Sequence, residues 1–245
     1  MSSFEEQINM LKDWIDKSER IAVLTGAGVS TESGLKDFRS DEGIFAGEEP
    51  IEYYLSRPYF NRQPTEFWKK YKRIFHLGQL HAYQPSLAHT FLAGIERKGK
   101  NVTIITQNVD GLHQKAGSRN VIEVHGAVTS ATCPKCGGIY DFTYIMNMEV
   151  PVCKDCERVL NPDIVLYGDE IHGWEEAEKS VMDADLFLVM GTSLSVTPVN
   201  MFPSIASLAD VPLRGLLNNE PTIMDRYFDL IIEERLGTVF EALSR

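Results

Sequence analysis

RIAVLTGAGVSTESG, residues 20–34, decides the fold class. IAVLT is short and apolar at successive positions, the pattern of a strand buried on both faces of a parallel sheet. It ends in Gly26 and Gly28, one residue apart. Glycines directly after a strand let the backbone turn sharply and approach a pyrophosphate, whose charge the following amides can stabilise. The dinucleotide fingerprint would be GxGxxG, but Thr31 stands at the third glycine and the next one is Gly34. By itself the stretch therefore also reads as a tight turn.

Working outward, three further apolar runs have the same form. NVTIIT, residues 101–106, runs into the polar stretch TQNVDGLHQKAGSRNVIEVHG, residues 106–126. DLFLVM, residues 185–190, runs into Gly191, Thr192 and Ser193, and residues 213–217 run into Asn218, Asn219 and Glu220. A last strand is expected near residues 229–232. Helical spacing marks a first helix opened by a Ser3/Glu6 capping box, a helix from Ser86 to Gly99, one over residues 174–182, one over 198–208 and one from Leu236. Strands alternating with helices predict an α/β sheet. Ligands of such sheets sit beyond the carboxyl ends of the strands, so GAG, TQN, GTS and NNE converge on one crevice.

Residues 49–84 differ in composition. Prolines at 50, 58 and 64 punctuate segments rich in Tyr, Phe and Trp, which predicts short helices whose aromatics are mostly core. His89 reads as a structural histidine in the first turn of its helix. Cys133-Pro-Lys-Cys136 and Cys153-Lys-Asp-Cys156 are sixteen residues apart, within the spacing of a structural zinc site. Four thiolates complete a tetrahedral shell with no open position for water, so one structural zinc ion is expected to hold fold rather than catalyse.

The formal charge is −11, from 24 basic and 35 acidic residues, which argues against nucleic-acid and anionic-membrane partners, since both need clustered Lys and Arg. MSSFEEQINM has neither the basic nor the apolar region of a signal peptide, and no apolar run approaches the ~20 residues of a membrane span. The expected location is cytoplasmic. Paired CxxC motifs fit metal binding in a reducing compartment.

Taken together, these residues resemble the sirtuins, the NAD-dependent protein lysine deacylases, in a bacterial-type single catalytic core. The resemblance spans nearly the whole chain: GAGVSTESG with DFRS, TQNVDGLH, VHG ending at Gly126, the two CxxC pairs, IVLYGDE, GTSLSV and Asn218, in the family's order. It implies a Rossmann-like parallel sheet flanked by helices, forming a large domain of about 1–40, 87–126 and 161–245. A small domain would combine a helical insertion, about 41–86, with a zinc ribbon, about 127–160.

The resemblance also implies roles. Gly26, Ala27 and Gly28 would hold the pyrophosphate of NAD, Gly191, Ser193 and Asn218 would lie near its adenosine half, and Ser30 and Thr192 would be further cofactor-binding residues. Gln107 would bind the nicotinamide ribose, Asn108 and Asp110 the nicotinamide end. Asp37, Phe38 and Arg39 would belong to a loop over the cofactor, with Phe38 screening the reactive carbon from water. Val165, Tyr167, Gly168 and Val196 would bind the acyl-lysine and its peptide, and Cys133, Cys136, Cys153 and Cys156 the zinc. In the implied reaction the acyl oxygen attacks the ribose carbon as nicotinamide leaves. Asn108 assists, and His125 takes a proton from a ribose hydroxyl, which a histidine with an ordinary pKa near 6.5 can do at neutral pH. His113 takes no catalytic role and reads as a buried, hydrogen-bonded support.

The implied function is NAD-dependent deacetylation of lysine in proteins or peptides by a monomer, releasing nicotinamide and O-acetyl-ADP-ribose. ADP-ribosyl transfer to protein or NAD hydrolysis at the same site is the alternative, and a non-catalytic NAD sensor or zinc-ribbon interaction module the alternative of another class. The sequence departs from the family where Lys36 replaces a proline before DFR, removing a fixed φ angle. Members that prefer acidic acyl groups carry a Tyr-x-x-Arg pair in the helical insertion; the nearest match here is Trp68-Lys-Lys-Tyr71, so the pair is missing, which favours acetyl over succinyl.

Overall fold

The computed structural model describes residues 3–35 and 50–245. Lys36, Asp37, Phe38 and Arg39 lie outside the described residues. The first part of the chain runs α1 (Phe4–Lys17), β1 (Arg20–Thr25), α2 (Ile51–Tyr54), α3 (Arg57–Arg62), α4 (Pro64–Ile74), α5 (Leu87–Arg97) and β2 (Asn101–Thr106). It continues through α6 (Leu112–Ala116), β3 (Val121–Glu123), β4 (Gly126–Thr132), β5 (Ile139–Asp141), α7 (Phe142–Met146) and β6 (Asn161–Ile164). The last part is α8 (Trp174–Met182), β7 (Leu186–Met190), α9 (Phe202–Leu208), β8 (Leu213–Asn218), β9 (Leu230–Glu233) and α10 (Leu236–Leu243).

Ser3 and Glu6 form the reciprocal capping box that starts α1, whose Ile8, Leu11 and Ile15 are buried. β1 is buried at every position but Arg20, and β7 at every position, as strands covered on both faces must be. They form a six-stranded sheet in the order β3-β2-β1-β7-β8-β9, every pairing parallel. From β1 the chain builds outward through β2 and β3, then returns to the other side of β1 with β7, β8 and β9. The order therefore reverses between β1 and β7, and the crevice beyond their carboxyl ends is the position where such sheets bind ligands. One face of the sheet packs with α1, α5 and α10, the other with α8 and α9.

A second core joins α2, α3 and α4 to a small antiparallel sheet, β5-β4-β6. Phe67, Trp68 and Tyr71 are fully buried in it, and the Trp68 indole donates to the Leu160 carbonyl at 3.0 Å. Most aromatics of the insertion are thus core, as their spacing predicts, while Tyr53 is exposed. Lys72 extends its ammonium to the carbonyls of Ile145 and Met148, fastening α4 to α7.

The expected helix over 198–208 differs in one respect: residues Val199–Met201 form a 3-10 turn and the α-helix starts at Phe202. Pro203, at the first turn of α9, has no N–H to give an earlier carbonyl, which makes it a helix starter rather than an interior residue.

Candidate active site

The glycines after β1 and β7 interlock. A Cβ on Gly26 would lie 2.6 Å from Thr192 Cβ, and one on Gly28 2.6 Å from Gly191 Cα. Gly191 has φ +57, and a Cβ there would meet the Val29 nitrogen at 2.7 Å. Gly28 N–H donates to the Gly191 carbonyl at 2.8 Å, and Gly26 N–H to Met190 at 3.1 Å. Glycine is required here for two loops to touch. In those same loops the amides of Ala27, Thr192 and Ser193 have no hydrogen-bond partner among the described residues. Unpartnered backbone donors at a strand-end crevice suit an anionic ligand such as a pyrophosphate.

Across the crevice, the end of β2 carries a chain of hydrogen bonds whose directions are all determined. Asn108 Nδ2 donates to the Gly26 carbonyl and to Ser30 Oγ, both at 3.1 Å. Because a carbonyl only accepts, the Asn108 amide nitrogen must face it, which leaves Oδ1 as the side chain's acceptor. Ser30 Oγ in turn donates to Asp110 Oδ2 at 2.7 Å, and Leu112 N–H donates to Oδ1 at 2.9 Å. Asn108 N–H donates to the buried Thr106 hydroxyl at 3.1 Å. Gln107 Nε2 reaches Thr192 Oγ1 at 3.0 Å, joining the ends of β2 and β7. On the far strand, Asn218 Nδ2 donates to the Glu220 carbonyl at 2.7 Å, and the Ser193 and Ser195 hydroxyls lie 3.0 Å apart.

His125 lies between β3 and β4, with Nδ1 3.0 Å from the Gln107 carbonyl. That oxygen accepts only, so Nδ1 carries the proton and Nε2 the lone pair. Burial pushes the imidazole below its ordinary pKa; the Gln107 bond acts in the opposite direction and His172 adds to the lowering. The ring is thus neutral at pH 7 with Nε2 ready to accept. Gly126, next in the chain, has φ +74, and a Cβ there would be 1.9 Å from the Asp163 carbonyl oxygen. Only glycine lets β6 cross there, and the crossing brings Val165 N–H to the His125 carbonyl at 2.9 Å. Of the other expected substrate residues, Tyr167 is 52% exposed and Val196 41%, so both offer apolar surface to a partner.

His113 and His89 are both buried, with ring centroids 4.5 Å apart. His113 Nε2 meets the Thr25 hydroxyl at 3.0 Å, and Ser86 N–H donates to His89 Nδ1 at 3.1 Å. His89 Nε2 and His113 Nδ1 have no partner among the described residues. Burial drives the His113 pKa down to about 3 and that of His89 to about 4. Neither ring can serve as a base in an open site; both are structural.

The four cysteine sulfurs lie within 4.8 Å of one another. Cys136 and Cys153 Sγ are 3.7 Å apart, against the roughly 3.8 Å that tetrahedral geometry gives for Zn–S bonds of about 2.3 Å. The two CxxC turns repeat one backbone pattern. Cys133 N–H donates to Gly138 and Cys153 N–H to Arg158, each at 2.8 Å, and Gly137 and Glu157 close the turns at φ 71 and 54. The set fits one tetrahedral zinc ion. Tyr140 donates its hydroxyl to Cys153 Sγ at 3.2 Å, the outer-shell support such ligands need.

A family model described as the Sir2 family matches residues 26–198. The chain belongs to the Sir2 family. A relative from Bacillus cereus named NAD-dependent protein deacetylase is 46% identical over 241 residues, 98% of either chain. One from Geobacillus kaustophilus, NAD-dependent protein deacetylase 2, is 48% identical over the same share. A solved Sir2 variant holding a deacetylated p53 peptide and 3'-O-acetyl ADP ribose matches with a TM-score of 0.86 at 30% identity, covering 96% of each chain.

Some of what positions this Sir2 site has no signal in the sequence. The Gln107 carbonyl that sets the His125 tautomer is backbone, invisible to any reading of side chains. The need for glycine at 126 arises from a carbonyl 37 residues further on, at Asp163. The bonds that join Ser30 to Asn108 and Asp110, 78 and 80 residues away, likewise have no local pattern to mark them.

Proposed function

We propose that this Sir2 family chain is an NAD-dependent protein lysine deacetylase that acts on acetyl-lysine in proteins or peptides, with His125 as the general base. The observation that carries this reading is the His125 ring, held by the Gln107 carbonyl in the tautomer that leaves Nε2 as acceptor. NAD, when bound, supplies its ADP-ribosyl group to the acyl oxygen with nicotinamide leaving. Ala27, with Gly26 and Gly28 beside it, and Thr192, Ser193, Gly191 and Asn218 would hold its phosphates and adenosine half. Gln107, Asn108, Asp110 and Ser30 would hold the nicotinamide half. Their mutual bonds preset Asn108 Oδ1 and the Asp110 carboxylate as acceptors, so little reorganisation accompanies binding.

His125 Nε2 then removes a proton from a ribose hydroxyl, a step that a positioned base accelerates by about 10² to 10⁴. Val165, Tyr167, Gly168 and Val196 would hold the acylated lysine and its peptide. The four cysteines would hold zinc away from the chemistry, and the division into a large and a small domain belongs to the same reading. Acetyl rather than an acidic acyl group is supported by the helical insertion: Trp68 and Tyr71 are buried, and the Lys72 ammonium is occupied by two carbonyls. The direct test is His125→Ala. The variant keeps its melting temperature and zinc and loses at least a hundredfold in steady-state formation of O-acetyl-ADP-ribose from NAD and an acetylated peptide, although a first nicotinamide can still leave; full activity removes His125 from the mechanism.

A further inference from the structure

The segment 165–168 is a strap bonded on nearly every side. Val165 N–H goes to the His125 carbonyl at 2.9 Å, Leu166 N–H to Asp169 Oδ2 at 3.1 Å, and Tyr167 N–H to the Leu55 carbonyl at 2.9 Å. The Tyr167 carbonyl accepts from Arg57 N–H at 3.0 Å, and Asp169 N–H returns to the Leu166 carbonyl at 2.9 Å. Three backbone groups of the strap remain without a partner among the described residues: the Val165 carbonyl and both the amide and the carbonyl of Gly168. Tyr167 can therefore offer a substrate its ring but not its backbone.

A bidentate ion pair holds the strap in this form. Arg57 Nε donates to Asp169 Oδ1 at 2.9 Å and Nη2 to Oδ2 at 2.6 Å. Their side chains are 29% and 22% exposed, and the Arg57 bond holds the Asp169 carboxyl below its ordinary range. Arg57 opens α3, whose Ser56 cap and Phe60 ring steady it: Ser56 Oγ accepts from Tyr59 N–H at 3.3 Å, and the guanidinium lies 5.3 Å from the Phe60 centroid. Asp169 Oδ2 serves two donors at once, Arg57 and Leu166 N–H. The carboxylate thus converts the position of the helical insertion into the backbone conformation of the strap. Forked Arg–carboxylate pairs specify geometry as well as energy, which suits them to such a task.

We propose that Arg57 and Asp169 are positioning residues for the acyl-lysine peptide: their fork sets the strap so that the Val165 carbonyl and the Gly168 amide and carbonyl are left, correctly placed, for the extended peptide and its acylated lysine to pair with. Strand addition of this kind draws affinity from main-chain bonds and is sensitive to small shifts of the edge. The inference rests on the deacetylase reading above. It places peptide affinity, but neither NAD affinity nor the proton transfer, under the control of an ion pair that touches no reacting atom.

The test compares the unaltered chain with Arg57→Ala, Asp169→Asn and Arg57→Lys. Binding of a fluorescein-labelled acetyl-lysine peptide is read by anisotropy, NAD binding by calorimetry, and turnover by nicotinamide release. Arg57→Ala and Asp169→Asn are expected to raise the peptide Kd and KM at least tenfold, with kcat within threefold and the NAD Kd within twofold. Arg57→Lys, with charge but no fork, falls between. Peptide affinity unchanged in both variants, or lost in step with NAD affinity as for a general distortion, overturns the proposal. An unaltered chain that binds peptide without deacetylating it refutes the deacetylase reading while the anisotropy series still decides the fork; one that binds no peptide overturns both.

Discussion

Acidification from pH 7.5 to 5.0 should destabilise the fold through two buried histidines. In the unfolded chain each imidazole titrates near 6.5; in the fold burial holds His89 at about 4 and His113 at about 3. A folded pKa below the unfolded one means the unfolded chain binds more protons between the two values, so stability falls as pH drops below 6.5. At pH 5.0 both folded rings remain neutral, and the loss depends on the unfolded value alone. It is 1.5 pH units at about 1.36 kcal/mol each, roughly 2 kcal/mol per ring and about 4 for the pair. That is a large part of the 5–15 kcal/mol of a typical domain and lowers the melting temperature by roughly 8–16 °C at this chain length. His125, also lowered by burial, acts in the same direction. Glu123, raised by burial, acts in the opposite one, because its protonated form favours the fold as pH falls. Protonation of the zinc thiolates adds to the acid loss of any variant, so the decisive measurement is a difference. Denaturant unfolding of the unaltered chain and of His113→Gln is followed at both pH values. Losing the Thr25 contact makes the variant the weaker protein at pH 7.5, and the gap narrows by about 2 kcal/mol at pH 5.0. Parallel pH dependences of the two proteins would refute the reasoning.

Two further substitutions test the crevice. Ser30→Ala strands the Asn108 and Asp110 groups that Ser30 joins, and nicotinamide release should fall about tenfold, close to 1.4 kcal/mol, while Ser30→Thr keeps the hydroxyl and most activity; equal rates for the alanine variant and the unaltered chain would contradict this. Gly126→Ala forces a Cβ to 1.9 Å from the Asp163 oxygen and should destabilise by more than about 4 kcal/mol or prevent folding. Gly137→Ala, at a similar φ of +71 with no atom within 4 Å, should cost about 1–2 kcal/mol. Similar melting temperatures for these two variants would show that the β6 crossing imposes no demand at position 126.

The large sheet was legible because its strands are buried on both faces. IAVLT, NVTIIT and DLFLVM stand out as apolar runs, and their polar ends name the crevice without any long-range information. α8 was legible to its ends, Trp174 and Met182. Of the small sheet only residues 161–170 carry a strand-like apolar pattern, and Asn161–Ile164 of them form β6. GAVTSAT has a half-exposed, weakly apolar pattern, and it becomes β4 because it pairs with β6 some 30 residues later and with β5 across the zinc turns. The site divides in the same way. Asn108, Asp110 and His125 announce themselves as polar side chains after apolar runs, whereas the Gln107 carbonyl and the Arg57–Asp169 fork exist only once the chain has folded. The fork joins residues 112 apart, with no local pattern to mark either partner.

The central claim is that this crevice couples NAD cleavage to loss of an acetyl group from lysine. Mass spectrometry of the products formed from NAD and an acetyl-lysine peptide tests it most directly. The account predicts one nicotinamide, one deacetylated peptide and one O-acetyl-ADP-ribose per turnover. Nicotinamide release that yields ADP-ribose or an ADP-ribosylated peptide, with the acetyl-lysine intact, would contradict it.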